Sequence, residues 1–328
     1  MPSTPERPTV SFVTTRGHPP SAHRHGQVDI DEAGWRELVT QTELEGELLL
    51  GFVSDAASWV TAERAADSPP VRRVLDVGCG PGVGTCELAK LFPEAHVVAI
   101  DSSPAMLGRA TQRSAAQGLT RRISTHLAEV PGGLEGIERV DLIWASMSLH
   151  HIGDEVEGLL ALRALLEPSG LIAIAEMAEP MRVLPSDLDL GRPGLADRLD
   201  SAGAEWFAAM RRGLPGAVAS SDLSSMLGAA GLEALVSRPA HRRFDAPLPD
   251  EARRVVLGHL RRVSDHLSGY LDNDDLRTLD VLNDADDPRG VMHRSDVFVA
   301  ASRQIVIART MAGQTDPAAG TAPLPSDL

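Results

Sequence analysis

Residues 74–82 read VLDVGCGPG, and this run constrains the chain more than any other part of its 328 residues. Three apolar side chains and Asp76 make a short strand. Gly78, Gly80 and Gly82 then stand at alternate positions, and 84–92 continues with helical spacing. A strand that passes through a glycine turn into a helix lets a ligand approach the backbone closely, beside a helix N-terminus that favours an anion. Asp76 adds a carboxylate able to face an ammonium, so a ligand carrying both groups suits the turn. The dinucleotide fingerprint G-x-G-x-x-G requires a third glycine where Val83 stands, and no Gly-Lys-Ser/Thr follows to make a P-loop.

The segments around this turn alternate between strand and helix. Strand 96–100 ends on Asp101, and helix 103–117 follows with Ser102 or Ser103 as its cap. Strands 123–127, 140–145 and 171–176 come next, with helix 154–166 between the last two. Such alternation predicts an α/β fold, a Rossmann-like doubly wound sheet with helices on both faces, mostly parallel with a final antiparallel strand at 297–308. Asp101 then sits where a carboxylate can accept from both hydroxyls of a ribose.

Six regions are expected. Residues 1–28, rich in turn formers, read as a disordered arm in which His18, His23 and His25 are tail residues rather than a metal site. Residues 29–69 hold two N-terminal helices, with Asp29 or Asp31 available as a cap. Residues 70–178 form the ligand-binding core. Residues 179–230, with prolines at 180, 185, 193 and 215 around helix 195–211, read as an inserted cap or lid. Residues 231–310 return to the sheet through strand 231–237, with helices 250–267 and 273–283 added, and 311–328 is expected to be a disordered tail.

Composition narrows the partners. A net charge of −15, from 46 acidic and 31 basic residues, opposes approach to a phosphate backbone, and the arginine pairs are scattered, so nucleic acid is not an expected partner. The sequence has no run of 18 apolar residues and no basic-then-apolar leader, which predicts a cytoplasmic protein without a membrane partner. Cys79 and Cys86 are too few for a disulfide framework or a zinc site, and no metal is expected. Lys90 is the only lysine, an arginine bias that points to GC-rich coding such as that of actinobacteria.

Across about residues 70–178 the chain resembles the class I S-adenosylmethionine-dependent methyltransferases, especially their small-molecule branch. The resemblance rests on VLDVGCGPG at 74–82, VVAIDSSPAML at 97–107, DLIWASMSLHHIGD at 141–154 and LEPSGLIAIAE at 166–176, in that order. It implies S-adenosylmethionine as cofactor. Asp76, Gly78, Cys79, Gly80 and Gly82 would line its methionine end, Asp101 and Ser102 its ribose, and Met106 its adenine, with Ala145 and Ser146 near the departing methyl. The family often carries an acid after the third strand to bind the adenine amine. Leu127 stands there in this chain, so Ala128 and Glu129 are the expected substitutes.

The implied activity is methyl transfer to a small-molecule acceptor, with oxygen the favoured acceptor atom and specialised metabolism one expected setting. Monomer and homodimer both stay open. His151 is the candidate general base, because imidazole titrates near neutral pH. Trp35, Met147, His150, Arg182, Arg192 and Trp206 are the candidate substrate contacts, with Trp144 and Phe207 as further candidate linings. An acceptor carboxylate would need no base but would want a cation, for which Arg182 and Arg192 are available. The alternatives are a protein of the same fold that binds the cofactor without methylating, regulatory or cyclase-like, and then a nicotinamide-dependent oxidoreductase.

Overall fold

The computed structural model describes residues 32–65, 68–218 and 222–312. The expected arm, its three histidines, Asp29, Asp31 and the tail beyond residue 312 lie outside the described residues. Helices α1 (Glu32–Leu48) and α2 (Gly51–Glu63) lead into the sheet, as the spacing of their apolar residues predicts. Strands β1 (Arg73–Val77), β2 (His96–Asp101), β3 (Ile123–Leu127), β4 (Val140–Ser146) and β5 (Leu166–Arg182) follow. Helices α3 (Val83–Leu91), α4 (Pro104–Ala116) and α5 (Glu155–Ala164) cross between them.

Among the described residues seven strands lie in the order β3-β2-β1-β4-β5-β7-β6, where β6 is Leu232–Phe244 and β7 is Val299–Thr310. The first five pair in parallel. β7 runs antiparallel to both β5 and β6, so among the described strands it alone is reversed, inserted between two strands that share the direction of the rest. Strand order reverses between β1 and β4, and a ligand crevice is expected outside the carboxyl ends of strands at such a switch point.

Both faces of the sheet are covered, so its central strands are apolar runs rather than alternating sequences. Val74, Leu142 and Leu171 face Phe52, Val53 and Val60 of α2, while Leu75, Ile143 and Ile172 face Leu159 and Leu162 of α5. Trp144 is part of the first of these cores, 2% exposed, and does not line an open cavity.

A third core joins parts of the chain that are distant in sequence. Val183, Leu184, Leu188 and Leu195 pack with Leu248, Val256, Leu260, Leu279 and Leu282. The cap is thus built from the segment after β5, helix α6 (Leu195–Gly213) and the pair α8 (Asp250–Leu267) and α9 (Asn273–Asn283). Between α6 and β6 lies α7 (Leu223–Ala229). β5 and β6 are longer than their apolar runs suggested. β7 pairs with them as far as Arg182 and Phe244, where exposed side chains hide the strand character.

Candidate functional site

The glycine turn follows directly from β1. Gly78 and Gly82 both have positive φ, at 67° and 80°, which a residue with a Cβ adopts only with strain. Contacts reinforce that demand. A Cβ on Gly78 would lie 2.5 Å from Cβ of Ser148, and one on Gly82 2.7 Å from Cβ of Ala110. The turn is therefore pressed against the segment after β4 and against α4.

Asp101, at the end of β2, holds the turn in place. One carboxylate oxygen accepts from the amide of Gly80 at 2.9 Å and the other from the amide of Ser103 at 2.8 Å. A carboxylate offers about four acceptor positions, so ribose hydroxyls can share it with these amides. Of the two cap candidates Ser103 is the one used, its hydroxyl accepting from the amide of Met106, and Ser102 precedes it. Met106 and Ala128 are buried next to this corner, whereas Leu127 and Glu129 are exposed. Cys79 is buried with Ala99, Leu107 and Ala110, and burial pushes its thiol well above the ordinary range, so it packs rather than reacts.

Asp76 lies beneath the turn. It is 3% exposed and accepts from Thr85 Oγ1 at 2.5 Å. Burial, with a smaller push from Asp101 and against the Thr85 bond, raises its carboxyl to about 7. Helix α1 roofs the turn from the other side: Thr42 comes within 3.7 Å of where a Cβ on Gly80 would stand, and Val83 within 3.3 Å of one on Gly46. Arg109 and Arg113 of α4 clasp Glu43 of α1 and fix that roof. Burial pushes Glu43 upward, but the two arginines outweigh it and leave the carboxyl below its ordinary value.

Beyond β4 the chain passes Ala145, Ser146 and Met147, a non-glycine residue at φ 53°, a conformation that side chains rarely adopt and that clusters at functional sites. Leu149–His151 then form a 3-10 turn. Glu176 of β5 organises it, accepting from the amides of Ser148 and Leu149 through Oε1 and from Nδ1 of His150 through Oε2 at 2.6 Å. That last bond puts the Nδ1 proton on His150 and leaves Nε2 as a proton acceptor. Glu176 thus fixes the orientation of His150. His151, the sequence candidate, is exposed, its ring centroid 4.3 Å from that of His150 and tilted by 44° to it.

The cap reaches this turn through Arg211 of α6, which donates to the carbonyls of His150, Ile152 and Gly153. Its guanidinium also lies 2.8 Å from Glu155, both side chains being deeply buried. The contact is poorly aligned, since Glu155 Oε2 makes no hydrogen bond, and burial raises the Glu155 carboxyl despite Arg211. Arg211→Met is expected to cost about 3 kcal/mol, because it orphans three carbonyls and strands a buried carboxylate. Glu155→Gln should cost far less. Urea unfolding of the two variants checks this asymmetry.

The other substrate candidates are dispersed. Arg182 pairs with Asp197 and Asp200, and Arg192 with Asp272 and Asp275. Both cations are half exposed and brace the cap through these pairs; Arg192 lines one surface cleft of the cap and Arg182 another. Trp206 stacks on His266 of α8 at 4.5 Å, Phe207 lies 5.7 Å from His150, and Trp35 is half-buried on α1. Two surface clefts of about 230 and 370 Å³ lie on the cap, and neither is lined by a residue of the glycine turn. Glu176, Arg211 and Ser148 were not singled out in the sequence. Glu176 had one visible signal, a lone acid ending an apolar strand opposite the histidine pair.

The buried hydroxyl of Ser148 has no hydrogen-bond partner. An orphaned donor against the Gly78 turn, beside Asp101 and the start of α3, fits a ligand bearing a carboxylate and a ribose. S-adenosylmethionine has both.

Residues 74–170 match the model of a methyltransferase-domain family. A trans-aconitate 2-methyltransferase of Variovorax paradoxus is 34% identical over 139 residues, which are 40% of this chain and 51% of that protein. An uncharacterized protein of Synechococcus is 38% identical over 113 residues, 33% of this chain and 26% of its own length. The chain thus spans about half or less of these relatives. The crystal structure of a putative methyltransferase from Bacillus halodurans aligns over 79% of this chain and 100% of that one, with a TM-score of 0.48 and 17% identity. No helix among the described residues is long and apolar enough to cross a membrane. Over residues 74–170 the chain is thus similar to methyltransferase domains, the class of protein that its sequence motifs resemble and that uses S-adenosylmethionine as methyl donor.

Proposed function

We propose that this chain methylates a small-molecule acceptor at oxygen, with His150 taking up the acceptor's proton. The observation that supports it most is the packing of the Ser148–His150 turn on Gly78, which brings an oriented imidazole next to the candidate cofactor site. S-adenosylmethionine, when bound, supplies a methyl group on a positively charged sulfur. Gly78, Gly80 and Ser148 would hold its methionine end, Asp101 and Ser103 its ribose, and Met106 and Ala128 its adenine. Displacement at a methyl requires in-line alignment more than side-chain chemistry, so the roof of α1 and the cap contribute by ordering the acceptor and excluding water. Nε2 of His150, the acceptor nitrogen of the tautomer that donates from Nδ1 to Glu176, takes the hydroxyl proton.

S-adenosylhomocysteine is expected to raise the melting temperature, by about 2.7 kcal/mol of added stability at a hundred times its dissociation constant. NADH should leave it unchanged. Stabilisation by NADH alone would put the domain among nicotinamide enzymes.

A further inference from the structure

Near Glu176, where α1 and α8 meet the paired ends of β5 and β7, lies a group of charged side chains that the proposed reaction does not use. Arg303 of β7 is 6% exposed, and its guanidinium lies over the ring of Phe52 at 5.6 Å. A guanidinium has five N–H donors. This one makes a single hydrogen bond, to the carbonyl of Ser302 at 3.3 Å, and its nearest carboxylate, Glu45, is 4.0 Å away, beyond hydrogen-bond range. The neighbouring acids are committed elsewhere: Glu45 accepts from Arg262, and Glu176 accepts from His150 and two backbone amides. His259, pushed down to about 4 by burial, is neutral at pH 7 and adds no charge. Burial outweighs the attraction of Glu45 and Glu176 and lowers the guanidinium's own pKa, as expected of a cation short of partners.

A deeply buried cation is costly to leave with so few partners, whereas the other deeply buried arginine, Arg211, donates to three carbonyls. Arg303 faces Met177, the residue after Glu176, across the β5–β7 pairing, and lies within electrostatic reach of the Glu176 carboxylate at the same sheet end. We propose that Arg303 anchors a carboxylate of the acceptor, which makes the substrate a hydroxy acid. This rests on the methyl-transfer reading above. A planar carboxylate matches the guanidinium fork, while a doubly charged phosphate would be repelled by Glu45 and Glu176. The anchored carboxylate is not the acceptor atom, because a guanidinium bond draws off the electron density a nucleophile needs. Its charge also favours protonation of His150 as the hydroxyl gives up its proton.

The test uses the full chain saturated with S-adenosylhomocysteine and follows melting temperature against sodium benzoate, with benzamide and sodium chloride at matched ionic strength as controls. Benzoate is expected to stabilise saturably and the controls not. Arg303→Gln should weaken the benzoate response about 10- to 100-fold. Arg303→Lys, which keeps a cation facing Glu45 and Phe52 should the glutamine variant fail to fold, should also weaken it, and Arg182→Gln should match the parent. No benzoate response in the parent, or an equal one in the Arg303 variants, overturns the anchor and makes Arg303 a structural brace. If neither variant folds, a parent crystal soaked in benzoate decides: a carboxylate bound away from Arg303 overturns the proposal. Stabilisation by S-adenosylhomocysteine without benzoate is scored separately, so its failure would overturn the methyl-transfer reading instead.

Discussion

Replacing His150 with alanine is expected to lower the maximal rate by roughly 10²- to 10⁴-fold, the usual cost of a lost general base, while affinity for S-adenosylhomocysteine hardly changes. The Glu176 bond makes a sharper forecast possible. A carboxylate at 2.6 Å accepts only from a protonated Nδ1, which leaves Nε2 as the basic nitrogen. In Glu176→Gln the side-chain oxygen can still accept from the amides of Ser148 and Leu149, which turns its NH₂ toward His150. Nδ1 must then accept, and the proton moves to Nε2. The glutamine variant should thus lose rate with its Michaelis constant nearly unchanged, and its rate should respond to pH differently from that of the parent. His151→Ala should stay within a few-fold of the parent. Parental turnover in the His150 variant would leave catalysis to alignment alone, and a large loss confined to His151 would return the base to the residue chosen from sequence.

The choice between the histidines shows what the sequence made legible. Local features were readable because local chemistry fixes them: the glycine turn, the acid ending β2, a serine cap at 102 or 103 and the reversed final strand. Apolar runs of five to seven residues between turn formers located the strands, since both faces of this sheet are covered. Partner choice was not readable. His150 and His151 are adjacent, and only the pairing of β4 with β5 selects the one that Glu176 meets. Arg182 and Arg192 looked like candidate anion receptors because the acids that occupy them, Asp200 and Asp275, are 18 and 83 positions away. Arg303 went unnoticed inside an apolar strand, although a charge in such a run is a burial signal that could have been followed. The packing of α8 and α9 against residues 183–195 was not readable either, since both helices come from beyond β6 and carry no mark of that association in their own spacing.

Asp76 carries the clearest dependence on pH. An aspartate in the unfolded chain ionises near 3.8, whereas burial beneath the glycine turn raises this carboxyl to about 7. Between those values the folded protein holds a proton that the unfolded chain has released, so stability falls as pH rises from about 4 to about 7 and changes little above. A shift of about three units corresponds to roughly 4 kcal/mol, the cost of keeping an ionised carboxylate in this place. Asp76→Asn, which preserves an acceptor for Thr85, should match the parent near pH 4 and be more stable at pH 8, by up to that amount. Its affinity for S-adenosylhomocysteine should move the other way, because the ligand's ammonium favours the ionised carboxylate. Parent affinity is thus expected to increase from pH 6 to pH 8, and that of the asparagine variant to be weaker and flat. Denaturant midpoints across this range, with calorimetry at its two ends, measure both quantities. Parallel stability curves for parent and variant would mean that Asp76 titrates as it does in the unfolded chain. Divergent stability with unchanged affinity would mean that its charge shapes the turn without meeting the ligand. A stability cost carried only by the empty protein and recovered on binding is the pattern expected of a preorganised cation site.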